Sequence, residues 1–502
     1  MREYDRLTVK TGRATLEALM QHAGRAVADA AEELRRLRGD APRTVVLVGN
    51  GNNGGDALVA AKLLFERAWD IQLVLARVPD DSHPAIAHIW EYLPQGLRAD
   101  AQCVSELQSL DSSDALLIDG LLGTGYSGEM PREPIATLIR FANASHRPIL
   151  SIDLPSGLNG DTGEGQLVIQ ATATVCLAAV KTGLLRGNGP ACAGRLVIAP
   201  FPFAELLERL PHGPEIFGAS EARELLPRFP FDAHKFQRGV VMVLGGSRQY
   251  GGAPILAGSA ALHAGAGLAQ VFLPQNAEVF CQAPQALIVQ RVADDGTGFF
   301  SCSTLPALET VVSRTTAFAA GPGMTRNPAS LPVLAELLGS GKPLVLDADA
   351  LNLLATTPSL LENAAPTQTV LTPHAGEFAR LQQAFGLPAT IDRGEAAIAL
   401  AQATRCIVVL KGARSVVAAP DGRFSYNLSG CPALATAGSG DVLTGVIAAF
   451  LANGLAPYDA SRLAVWAHGA AAEHATRPGS AIGLIADDLP RHIQTLLAQM
   501  AY

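Results

Sequence analysis

Two series of short β-rich runs, each handing over to a loop and then to a helical stretch, limit this chain to few architectures. In the first series strands are expected at 44–48, 71–76, 115–119, 149–153 and 175–180, with helical composition over 15–37 and 56–68. A second series offers strands at 240–244, 344–347, 369–371 and 407–410, with helices around 351–354 and 442–451. Such alternation favours parallel sheets covered on both faces, because parallel neighbours need a crossover and the helix supplies it. Between the two series, residues 199–218 carry Pro200, Pro202, Pro211 and Pro214 around a short helical piece and read as a domain boundary. At 502 residues, two α/β domains are expected.

Apolar residues make up 48% of the chain and charged ones 17%, enough to bury two cores and too apolar for wholesale disorder. The formal charge of −8 comes without a basic block, which argues against nucleic acid or an anionic membrane as partner. Cys103, Cys176, Cys192, Cys281, Cys302, Cys406 and Cys431 form no CxxC pair and read as reduced thiols of a cytoplasmic protein, with no disulfide frame or zinc site. The first residues lack the apolar core of a signal peptide. Residues 252–274 carry no Asp, Glu, Lys or Arg, but their many Gly and Ala, with Ser259, His263 and Gln270, point to a buried helix and not to a membrane span.

The segment GNGNNGGD, 49–56, leaves a strand run and enters a helical one. Its glycines let backbone approach a ligand, and the free N–H groups of a helix start favour an anion. Gly49, Gly51 and Gly54 make a formal G-x-G-x-x-G, yet the acid that should follow about twenty residues later is missing: the second run ends with Arg77, which argues against an ordinary dehydrogenase. The loops DGLLGTGYSGE (119–129) and SIDLPSG (151–157) belong at the same carboxyl edge. Asn53, Asp119 and Ser156 can there offer oxygens to one cation, and Asp153 can act as acid or base. Each aspartate alone can equally cap a helix; the gathering of several such loops at one edge favours a site.

In this order and spacing GNGNNGGD, DGLLGTG and DLPSG, with ALMQHAG at 18–24, resemble the NAD(P)H-hydrate epimerase family. The resemblance covers 1–205 and implies a Rossmann-like three-layer domain. It implies substrate contacts at Asn52, Asn53, Gly54, Gly55 and Asp56, at Gly123, Thr124, Gly125, Tyr126, Ser127, Gly128 and Glu129, and at Asp153, the expected catalytic residue. It further implies K+ at Asn53, Asp119 and Ser156. Ala57 and Gln21 stand where that family commonly has Gly and Glu.

The second series carries a denser set of loops: GGSRQYGGAPILAG (245–258), GPGMTRN (321–327), LDADALNLL (346–354), TPHAGEFARL (372–381), VLKGARSVV (409–417) and ATAGSGDVLTG (435–445). In the last, Gly438 and Gly440 bracket a turn and Asp441 opens an apolar helix, so N–H donors suited to a phosphoryl group stand beside a carboxylate able to accept a hydroxyl proton. Lys411 can meet a phosphate as a point charge, and His374 can donate or accept a hydrogen bond. Singly, GSGD can be a capped helix, Lys411 a solvated strand end and His374 a loop histidine. Together they resemble the ADP-dependent NAD(P)H-hydrate dehydratase family, which is ribokinase-like, over about 222–497.

That second resemblance implies a ribokinase-like α/β domain over 222–502, joined by a linker at 206–221. It implies substrate contacts at Ala253, Gly323, His374 and the catalytic Asp441. Nucleotide contacts are implied at Lys411, Gly412, Ala413, Arg414, Ser415 and Gly440, with ADP as co-substrate and Mg2+ on its phosphates. SGCPALATAG, with Cys431 and Leu434, departs from that family's usual Asn–x–Gly–x–Met pattern. The two resemblances name the same damaged cofactor, hydrated NADH or NADPH, and the expected assembly is a homo-oligomer. A ribokinase-like vitamin kinase and a scaffold of the kind found in RNA-decapping factors remain the alternative readings.

Overall fold

A computed structural model describes residues 2–501 apart from 81, 105–114, 201–202, 204–213, 280, 364–367 and 391. The chain forms two compact units, Met1–Gly213 with Arg477–Gly479, and Pro214–Thr476 with Ser480–Tyr502. Of the expected linker, 206–213 lies outside the described residues. The remainder is no linker: Glu215–Phe217 is a strand and Ala219–Leu225 a helix, both in the second unit.

In the first unit β1 (Arg43–Val48), β2 (Asp70–Leu75), β3 (Gln102–Cys103), β4 (Leu116–Gly120), β5 (Ile149–Ile152), β6 (Ala173–Leu177) and β7 (Arg195–Ala199) form a sheet in the order β3-β2-β1-β4-β5-β6-β7. Every pairing is parallel. The order reverses between β1 and β4, the Rossmann arrangement, whose ligand crevice lies at the carboxyl ends of those strands. Strand β1 reads as a continuous apolar run because both its faces are covered: Val46 and Val48 join one core, Val45 and Leu47 another. On the first face, helices Leu16–Arg38 and Asn52–Glu66 approach closely; a Cβ added at Gly24 would lie 2.4 Å from Val59. The expected strand 149–153 stops one residue early because Asp153 turns with φ +67°.

The second unit carries β8 (Glu215–Phe217), β9 (Val240–Leu244), β10 (Leu268–Pro274), β11 (Ile288–Val292), β12 (Ala317–Ala320), β13 (Leu344–Leu346), β14 (Thr369–Leu371), β15 (Ile407–Leu410), β16 (Val416–Ala418) and β17 (Phe424–Asn427). Their order is β11-β10-β9-β12-β13-β14-β15-β16-β17-β8. From β11 to β15 the sheet is parallel; β16 is antiparallel to both its neighbours, and β8 lies parallel to β17 at the edge. The charge-free stretch 252–274 is a helix only over Gly252–His263; Leu268–Pro274 is β10. Gly265, at φ +105°, and Gly267, where a Cβ would lie 1.7 Å from the Lys235 carbonyl oxygen, mark the change. Helix Ser439–Ala452 packs on 252–263 so tightly that a Cβ at Gly445 would sit 1.9 Å from the Ala257 oxygen. Among the described residues no helix is long and apolar enough to cross a membrane.

Candidate active sites

Both sites form where parallel strands end in loops. In the first unit β1 passes through Gly49–Gly51 into helix Asn52–Glu66. The turn is too close for side chains: a Cβ at Gly49 would lie 1.9 Å from the Leu121 oxygen, and one at Gly54 1.9 Å from the Gly49 oxygen. Gly54, Gly55 and Asp56 are buried in that first turn, while Asn52 is exposed. Asn53 ties three loops together, its Nδ2 donating to Leu122 O (2.8 Å) and Ile152 O (2.9 Å). Its amide oxygen lies against Gly123, 3.3 Å from where a Cβ there would be. The stretch from Gly123 through Thr124, Gly125, Tyr126, Ser127 and Gly128 to Glu129 stays partly or fully open to solvent. The departure at Ala57 is accommodated by Gly120, where a Cβ would lie 2.5 Å from the Ala57 methyl.

Asp119, at the end of β4, is fully buried. Its carboxylate accepts from Ser156 Oγ (2.5 Å), Ser151 Oγ (2.8 Å), Ser156 N (2.9 Å) and Leu121 N (3.3 Å). Burial pushes its pKa up against these hydrogen bonds. None of those donors carries a charge, so a cation near Asp119 would offset the burial. The hard oxygens of Asp119, Ser156 and Asn53 suit an alkali ion better than a soft-ligand metal. Asp153 takes a different partner. Its Oδ1 accepts from Leu177 N (3.1 Å) and from the ammonium of Lys181, which also donates to Leu177 O (2.8 Å). Both members of this ion pair are buried. Lys181 escaped the sequence reading, although it follows an apolar run just as Lys411 does.

In the second unit Lys411, after β15, forms an ion pair with Asp347 Oδ1 (2.7 Å), and Glu377 Oε2 is 4.0 Å away. Thr444, on the helix that begins at Ser439, donates to Asp347 Oδ2 (2.7 Å). Burial alone would lower Lys411, but the Asp347 and Glu377 carboxylates outweigh it and the net direction is up. Gly440 lies under the ammonium: a Cβ there would be 3.3 Å from Lys411 Nζ. Asp441 is pushed up to about 7 by burial first and then by the Asp347 carboxylate, with Lys411 opposing. Ala348, at φ +49°, separates Asp347 from Asp349, and both aspartates raise Asp441. The turn is held from behind by His468, whose Nε2 donates to Ser439 O (2.9 Å); burial takes this histidine down to about 4, so it stays neutral.

His374 caps helix Ala375–Ala384: its Nδ1 accepts from Gly376 N (2.9 Å) and Glu377 N (3.4 Å). An accepting Nδ1 leaves the ring proton on Nε2, which lies 3.3 Å from Glu377 Oε1. Burial, Lys411 and Arg380 hold the His374 pKa down, whereas Glu377 is pushed up to about 7, chiefly by burial. Gly323 and Ala253 are brought together: a Cβ at Gly323 would be 3.4 Å from that of Ala253. Loop 411–415 is fastened by Arg393, which donates to Leu410 O (3.0 Å), Lys411 O (3.0 Å) and Ala413 O. Ser415 Oγ closes the loop on Gly412 (3.0 Å), and the buried Arg414 donates to Leu428 O (2.7 Å). Leu434 supplies a carbonyl to Ser439 Oγ (2.9 Å), which any residue could offer, so its departure leaves that bond intact. Asp347, Glu377, Arg393 and His468 were not singled out from sequence. The first two stand inside quoted motifs and the last two in plain helical stretches.

A family model described as NAD(P)H-hydrate dehydratase matches residues 241–495, and one described as YjeF-related protein N-terminus matches 16–183. A bifunctional NAD(P)H-hydrate repair enzyme of Moorella thermoacetica is 36% identical, with 97% of this chain and 94% of that protein covered. One from Escherichia coli is 34% identical over 96% of this chain and 90% of its own. The solved structure of the ADP/ATP-dependent NAD(P)H-hydrate dehydratase of Bacillus subtilis, co-crystallised with ATP and Mg2+, is 27% identical, covers 58% of this chain and 100% of its own, and gives a TM-score of 0.44. The chain belongs to the family of bifunctional NAD(P)H-hydrate repair enzymes.

Proposed function

We propose that the first unit epimerises hydrated NADH and NADPH and that the second dehydrates the S hydrate at the expense of ADP. The observation that carries the reading is the Lys411–Asp347 ion pair over Gly440, beside a carboxyl, Asp441, poised near neutrality. Hydration leaves a hydroxyl on C6 and a hydrogen on C5 of the nicotinamide ring. Asp441 takes the proton of that hydroxyl, whose oxygen attacks the β-phosphorus of ADP as AMP leaves. Phosphate then departs from C6 and the proton from C5, restoring the double bond. The products are NAD(P)H, AMP and phosphate. Lys411 offsets the phosphate charge, and the N–H groups at the start of helix Ser439–Ala452 receive it. Mg2+ bound with the nucleotide would neutralise its phosphates; among the described residues no group of three or more acidic, histidine or cysteine side chains is placed to hold the ion by itself.

In the first unit Asp153 gives a proton to the C6 hydroxyl as it leaves as water, the ring nitrogen carrying the positive charge, and takes a proton back as water re-adds to C6 from the opposite face. Lys181 and Leu177 occupy its Oδ1, which leaves Oδ2 for the task. Asn53, Asp119 and Ser156 would hold K+, which would supply a fixed positive charge for orienting the substrate. The test is a mixed-epimer NADH hydrate, followed by recovery of NADH absorbance and phosphate release with ADP. Full conversion is expected. Recovery that stops at the S fraction removes the epimerase, and no recovery removes the whole reading.

A further inference from the structure

Arg77 is the residue whose place at the end of the second strand speaks against an ordinary dehydrogenase, and neither proposed reaction uses it. It stands just past β2, beside a cleft of about 630 Å³. The cleft opens at the carboxyl ends of β1, β2 and β3, with Asn50, Val78, Cys103, Val104 and Pro134 among its walls. Asn50 belongs to the same glycine-rich loop that leads to Asn53 and Asp56, so the cleft shares a loop with the proposed epimerase site. Between Asp153, at the end of β5, and Arg77, the sheet order places β4 and β1. Three strand spacings amount to about 14 Å along the sheet edge. A dinucleotide in this class of fold crosses the edge in that way, its pyrophosphate at the first helix start and its adenosine ribose near the end of the second strand.

We propose that this cleft takes the adenosine half of the hydrated dinucleotide, and that Arg77 binds the 2′-phosphate of the NADPH form. The inference rests on the epimerase reading for its substrate. The walls are chemically suited to it: Val78, Val104 and Pro134 give apolar faces for a base, and Asn50 gives a hydrogen-bonding amide. The Arg77 side chain is 62% exposed and held by Asp80, five residues beyond the end of β2 and itself 41% exposed. A 2′-phosphate displaces Asp80 from Arg77 by offering two charges where the carboxylate offers one. An unphosphorylated ribose leaves the Arg77–Asp80 pair intact and places its hydroxyls within reach of Asp80. One cleft thus serves both hydrates by exchanging the partner of one arginine.

The experiment uses the full chain. Arg77→Ala, at an exposed position, should raise KM for epimerisation of NADPH hydrate by about tenfold, the scale of a charge-assisted hydrogen bond, while the value for NADH hydrate stays within about twofold. Added salt should weaken NADPH hydrate in the wild type but not in the variant. A direct binding arm needs no turnover: adenosine 2′,5′-bisphosphate and 5′-AMP are titrated calorimetrically into both proteins. The wild type should bind the bisphosphate more tightly, Arg77→Ala should erase that difference, and Arg77→Lys should restore part of it. Equal loss on both hydrates, or a 2′-phosphate increment that survives in Arg77→Ala, overturns the proposal. A wild type that shows the increment but no epimerisation instead overturns the epimerase reading and leaves the subsite standing.

Discussion

Replacing Asp441 with Asn removes a proton acceptor while keeping shape. Dehydration should fall by about 10²–10⁴, the usual worth of general-base assistance. ADP binding, measured by calorimetry, should change little because Lys411 and the backbone donors remain, and epimer exchange should continue. In the wild type the dehydration rate should climb as pH rises through about 7, where Asp441 loses its proton. The same carboxyl has a stability consequence. Its folded pKa lies above the ordinary value of 3.8, so folding favours the protonated form, and the penalty on ionisation grows as pH rises from 3.8 to about 7. Asp441→Asn should therefore melt higher than wild type near pH 8 and about equally near pH 4, by differential scanning calorimetry. Substituting Asp153 has the opposite effect on stability. Asp153→Asn should abolish epimerisation and spare dehydration, but it strands the Lys181 ammonium and should cost the first unit about 3–5 kcal/mol. The double variant Asp153→Asn/Lys181→Met should regain much of that stability in denaturant melts and none of the epimerisation.

At the level of elements, most strands that end at a site were legible, but β12, which leads to Gly323, was not. β9, β14 and β15 have the expected bounds because β-branched runs end at Gly245, just before Pro373 and at Lys411. β12, AFAA, consists mainly of good helix formers; pairing with β9 and β13 decides its conformation. β10 was hidden in a charge-free stretch whose first half really is a helix. Among site residues, those in glycine-rich loops were legible because the glycines report close approach. Lys181, Arg393 and His468 act across long sequence separations, which a single sequence does not display. Arg393 shows what such a residue is worth. Arg393→Ala releases carbonyls at Leu410, Lys411 and Ala413. The KM for ADP should rise about tenfold with kcat less affected, as steady-state kinetics would detect; an unchanged KM would detach loop 411–415 from nucleotide binding.

At the level of the whole molecule, each unit has its own sheet, core and set of site loops. A fragment of residues 214–502 should dehydrate the S hydrate and stall on the R form, as chromatography of the two epimers would reveal; consumption of both at equal rate would place epimerisation elsewhere. Cutting at 219 instead removes β8, whose Glu215, Ile216 and Phe217 pair with Ser425, Tyr426 and Asn427. That pairing also sets a timetable. A ribosome delivers β8 first among the strands of the second unit and its neighbour β17 last. From β10 to β16 each strand emerges after a sheet neighbour has already been made, whereas β8, with Ile216 and Phe217, waits for β17 through most of the synthesis. Such a topology folds slowly and is exposed to aggregation meanwhile. Until Phe424–Asn427 arrives β8 has no strand to pair with, and the sheet of the second unit is completed by the last of its strands to be made.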